Sequence, residues 1–225
     1  MNKTEKSEVM KMTKKLGQIL MLLGLCVAVA TVAVAFGNLQ ADPDLLGEDT
    51  VAHDRIVTMM DAFCAGDYAT AQSVLQGETV LGVDRQPGDQ MGQIVWEAFQ
   101  NSMTYQFVGE RYATNSGIAQ DIIITTMDID AVTDYVEANA KTVLDQRVND
   151  RLASAENLDE IYDEENQYRE EFIMSVVYEV TRTAVETTTA TVQTKLTLNL
   201  VWEDDQWWIV PNEALLDAVS GGILG

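Results

Sequence analysis

From position 16 to position 41 the chain runs 26 residues without a formal charge. Residues 19–37 are dominated by Ala, Val, Leu and Gly, close to the roughly 20 apolar residues that a helix needs to cross a bilayer core. Leu16 and Gly17 extend the run past Gln18, and the pattern predicts a transmembrane helix over 16–38. Residues 39–49, with Pro43 and Gly47, read as a short linker. The period then becomes helical. Val51, Ile56, Met59, Met60 and Phe63 share one broad face from residue 50, with Thr50 or Asp49 as N-cap and Gly66-Asp67 as the stop. A short helix follows over 68–75, then a turn-rich stretch over 77–92, then a helix over 91–103 with a stripe of Ile94, Val95, Ala98 and Phe99.

The period changes again at residue 104. Strands over 104–113 and 118–127, joined by Asn115, Ser116 and Gly117, predict an antiparallel hairpin. Ile122, Ile123 and Ile124 form an unbroken β-branched run, which suits a strand covered in part on both faces. Helical spacing returns over 130–155 through Val132, Val136, Ala140, Val143 and Leu144. A second long helix is predicted over 158–181. Eight of the 16 residues from 156 to 171 are acidic, and they are assigned to its first turns, where the helix dipole favours negative charge. These two helices form a hairpin inserted between strands at about 130–182. The clearest strand covers 192–202, where Val192, Thr194, Leu196, Leu198, Leu200 and Trp202 alternate with polar residues. A polar turn over 203–206, a strand over 207–210 and a short closing helix over 212–219 complete the pattern. The fold class is α+β, with an antiparallel sheet and one domain over 50–220.

Charge gives the chain a direction. Residues 1–15 hold five Lys and two Glu, whereas residues 42–225 hold nine Lys or Arg against 34 Asp or Glu, a net of −25 with His53 neutral. The positive-inside rule places a basic tail, residues 1–15, in the cytoplasm and the main domain outside the cell membrane. A competing reading is secretion after signal cleavage near Ala35, favoured by the small residues Ala33 and Ala35 and opposed by the length of the apolar run. Both readings export the domain. Leu23-Gly24-Leu25-Cys26 resembles a lipoprotein cleavage box in its first two positions, but Leu25 is bulky and the apolar run continues past Cys26. Outside that run Cys64 is the lone cysteine, so the domain has no intrachain disulfide and its core holds by packing. Cys64 itself falls in an apolar helical pattern and reads as a buried hydrophobe. The external charge argues against nucleic acid as a partner and against lying flat on an anionic leaflet. It suits solubility or docking to a basic partner.

Two local segments carry a family resemblance. Phe63-Cys64-Ala65-Gly66-Asp67-Tyr68-Ala69-Thr70-Ala71 looks like the break between the first two helices of the NTF2-like superfamily, and Trp202-Glu203-Asp204-Asp205-Gln206-Trp207-Trp208-Ile209-Val210 looks like its final hairpin. The likeness covers roughly residues 50–127 and 190–211, and the helical segment between them departs from the common pattern. The resemblance implies a cone of curved antiparallel sheet wrapped around a helix, an apolar pocket in many members, frequent dimerisation and an exported bacterial protein. Some members are isomerases or dehydratases, while many exported members only bind or pack.

Trp96, Phe99, Tyr105, Phe107, Trp202, Trp207 and Trp208 are the residues that could line a pocket or fill the core. Trp207 and Trp208 should face opposite ways on a strand. His53, the single histidine, lacks the further ligands of a zinc site. Asp128, Asp130 and Asp134 imitate part of a calcium loop, but Thr133 and Asn139 stand where an EF-hand needs Gly and Glu. The acids at Asp159, Glu160, Asp163, Glu164 and Glu165 read as a solvated helix face. No metal site, cofactor or catalytic set is implied. The expected role is a single-pass, membrane-anchored, non-catalytic module for protein interaction or envelope work, with a homodimer or a protein partner. Its rival is a small apolar ligand-binding domain or an isomerase-type enzyme.

Overall fold

The computed structural model describes residues 50–77, 89–154 and 158–221. The basic tail, the predicted transmembrane helix over 16–38 and the linker over 39–49 lie outside the described residues. Among those described, no helix is long and apolar enough to cross a membrane. Over the described residues the fold is α+β, with a four-stranded antiparallel sheet and six α-helices. It divides into two compact units, one holding residues 96–127 and 191–221 with 50–77, the other holding 89–95 with 128–190.

The sheet unit begins with α1 (Thr50–Cys64) and α2 (Tyr68–Gln72). Ile56, Met59, Met60 and Phe63 of α1 are fully buried, whereas Val51, read onto the same face from its spacing, is 52% exposed. Gly66 takes φ +70 between the helices, and the Asp67 carboxylate accepts from the Thr70 N–H to cap α2. The predicted helix over 68–75 stops at Gln72 for a tertiary reason. Leu75 forms a parallel bridge to Ile209, with Ile209 N–H donating to Val74 O and Gln76 N–H to Ile209 O. The backbone of 74–76 is thereby drawn into the sheet edge and cannot complete another helical turn. Helix α3 (Gln90–Ser102) starts one residue before the predicted range, which overlapped the turn-rich stretch.

Strands β1 (Thr104–Ala113), β2 (Ile118–Met127), β3 (Thr191–Glu203) and β4 (Gln206–Val210) lie in the order β1-β2-β3-β4. Ile118, Ile122 and Ile124 stand opposite Leu200, Leu196 and Thr194, and Leu200 stands opposite Ile209. Cross-strand partners share a face, so these side chains form one inner face, on which Ile118, Ile122, Ile124, Leu196, Leu198 and Leu200 are buried. Ile123, pointing the other way, is half-buried, so the double coverage of that strand is partial. Between β3 and β4 the loop is two residues long, with Asp204 and Asp205 at φ +52 and +60. Positive φ at both central positions is the type I′ geometry that matches strand twist. After β4, the Asn212 side chain accepts from Leu215 N–H to cap α6 (Glu213–Ser220), and Gly221 closes it in the left-handed conformation.

The second unit is built around a helical hairpin. Helix α4 (Ile129–Ala153) buries Val132, Val136, Ala140, Leu144 and Val148, and α5 (Glu170–Thr187) buries Val176, Val177, Val180, Thr181 and Ala184. Asp128 N–H donates to Ala190 O at 3.0 Å, so the start of α4 meets the end of α5 and the pair is antiparallel. The predicted helix over 158–181 is displaced: α5 begins at Glu170 and ends at Thr187. The intervening chain holds a 3-10 turn (Leu158–Glu160) and an isolated bridge between Tyr162 and Tyr168. The Asp163 carboxylate explains this loop. It accepts from the N–H groups of Glu165 and Gln167 at 2.9 and 2.8 Å, and Asn166 turns to φ +56. A side chain that takes local backbone donors competes with the helix. Only Glu170 and Glu171, of the acid-rich stretch, occupy the first turn of α5.

Candidate functional site

The seven aromatics singled out in the sequence do not converge on one place; they divide into separate ring contacts. Trp96 and Phe99, both buried on α3, stack at 5.8 Å, and Tyr68 lies 6.4 Å from Trp96. Phe63 meets Tyr68 at 6.2 Å, and the Gln100 amide donates to the Tyr68 hydroxyl. Tyr105 and Phe107 meet edge to face at 5.8 Å on β1, with the His53 ring 4.7 Å from Phe107. Trp202 and Trp207, paired across β3 and β4, meet edge to face at 5.3 Å. Trp207 is buried while Trp208 is half-buried, as the alternation of a strand requires. The Arg55 guanidinium lies 6.0 Å from the Trp208 ring centroid and donates to Gln206 Oε1 at 2.8 Å.

Most of these contacts are explained by packing. The Trp96 indole N–H is the exception, since it is buried and meets no acceptor among the described residues. A buried, unsatisfied donor costs about 1–3 kcal/mol.

A second cluster was not anticipated. Asp61 and Cys64 sit on α1, and the Tyr105 hydroxyl of β1 donates to Asp61 Oδ1 at 2.8 Å. Asp61 gave no signal in the sequence beyond its helical spacing from His53 and Cys64. Burial, reinforced by the hydrogen bond to and charge of Asp61 and by the nearby Cys64, pushes the Tyr105 phenol up to about 12. Burial and then the Asp61 charge push the Cys64 thiol up as well. Cys64 is a free thiol and only half-buried, less enclosed than its apolar pattern predicted. Both shifts hold these groups protonated at neutral pH. Tyr105 is then a fixed hydrogen-bond donor, and Cys64 lacks the lowered pKa of an activated nucleophile.

The acidic candidates are also accounted for. Asp128 caps α4 by accepting from Ala131 N–H at 3.2 Å, and Asp130 lies in its first turn. Asp163 organises the loop described above. No group of three His, Cys, Asp or Glu among the described residues is placed to hold a metal ion. His53 contributes a ring contact to Phe107.

Residues 128–190 hold 16 acidic and five basic residues, and all five bases are engaged within the same unit. Lys141 pairs with Asp145, Arg147 with Glu179, Arg151 with Glu160 and Arg182 with Glu186. Arg169 donates to the carbonyls of Asp159 and Tyr162. The cations serve the hairpin internally, and the excess charge of the unit is negative. No family model, no curated protein and no solved structure matches the chain.

Proposed function

We propose that this chain is a non-catalytic interaction module of the cell envelope, tethered through residues 16–38 with residues 50–220 on the outer face. The observation that carries the reading is the α4–α5 hairpin. It has its own apolar seam, and its bases pair with groups of the same unit, so it offers a partner a net acidic surface. Such a surface raises encounter rates with a basic protein and repels acidic ones. The uncharged run over 16–41 and the charge step across it support the tether and its direction. An NTF2-like relationship is part of the proposal. It is supported by the order of helices, hairpin and Trp-rich final strand pair, and by the short edge contact of Leu75 with Ile209.

The test is photo-crosslinking in intact cells, with the reactive residue placed at Glu137 or Gln146 on α4 and, as a control, at Gln193 on β3; all three positions are exposed. A discrete adduct from the α4 positions and none from Gln193 supports the module. Turnover of a substrate that depends on an outer-domain side chain overturns it. The second reading, a small apolar ligand site, rests on the unsatisfied Trp96 N–H, to which a ligand oxygen would be an acceptor. Native mass spectrometry of the purified full chain decides that case: a bound compound lost in Trp96→Phe favours the ligand site.

A further inference from the structure

We draw no further inference here: the strongest candidate, the ring stack of Tyr162, Tyr168 and Phe172 among the exposed acids at the tip of the α4–α5 hairpin, belongs to the acidic surface already proposed, and nothing in the structure shows what covers it.

Discussion

Replacing Gly117 by alanine tests how tightly β2 and β3 are apposed. A Cβ built on Gly117 would lie 1.9 Å from the backbone oxygen of Leu200 and 3.0 Å from its carbonyl carbon. Neither obstacle is the end of a flexible side chain, since Leu200 is held in register opposite Ile118. Relief therefore requires the end of the β2–β3 ladder to open. Opening it loosens Ile118, which is 1% exposed, at about 1.5–3 kcal/mol for a buried aliphatic side chain. Two ladder hydrogen bonds lost at about 0.5–1.5 kcal/mol each bring the total to about 2.5–6 kcal/mol. Reduced freedom of the unfolded chain returns about 0.4–1 kcal/mol. Gly109→Ala is the matched control. Its φ is +69 but nothing lies within 4 Å of its Cβ, so it should cost about 1–2 kcal/mol from the left-handed backbone alone. Urea unfolding of the full chain in detergent, followed by tryptophan fluorescence, measures both. Gly117→Ala should exceed Gly109→Ala by about 2 kcal/mol and lower Tm by about 10 °C. Equal costs for the two variants would refute the clash argument, and with it the close apposition of the strands at Gly117.

Three further outcomes follow from the sheet unit. Tyr105 should titrate near pH 12 in absorbance at 295 nm, and Asp61→Asn should lower that midpoint; because the folded value lies above the ordinary 10, the associated stability is fully present below about pH 10 and is lost as pH rises through about 12. Trp207→Ala removes a side chain that is 2% exposed and should cost about 3–5 kcal/mol, whereas Trp202→Ala, at a side chain 40% exposed, should cost about 1 kcal/mol from the lost edge contact; similar denaturation midpoints for the two would contradict their difference in burial. Asp205→Gly should stabilise the β3–β4 turn by up to about 1 kcal/mol, because glycine takes the φ of +60 at position 205 without Cβ strain, and a fall in the urea midpoint would argue against a type I′ turn.

The elements were legible where periodicity was regular and local. The alternation from Val192 to Trp202 and the four-residue spacing from Val132 through Val136 to Ala140 each have one face to bury, and both became the elements they predicted. Composition misled where one side chain reorganised its neighbours. The acids over 156–171 suited a helix start, but Asp163 took two backbone donors and held a loop instead. Register shifts were also invisible. The irregularity in β1 between Val108 and Tyr112 sets four steps of β1 against two of β2, an even shift that keeps the alternation and so leaves no mark in the hydrophobic pattern. At the candidate sites, sequence could name the aromatics but not how they would divide, because Tyr68 with Trp96, or His53 with Phe107, are partners only after α1, α2, α3 and β1 have packed. The same distinction governs the charge. Net acidity is a property of composition and by itself says only that the chain stays soluble. The pairing of Arg147 with Glu179, 32 residues away, and of Arg151 with Glu160 is a property of the fold. It ties the exposed cations to carboxylates of the same unit, and under the proposed function the carboxylates left over are what a basic partner would meet.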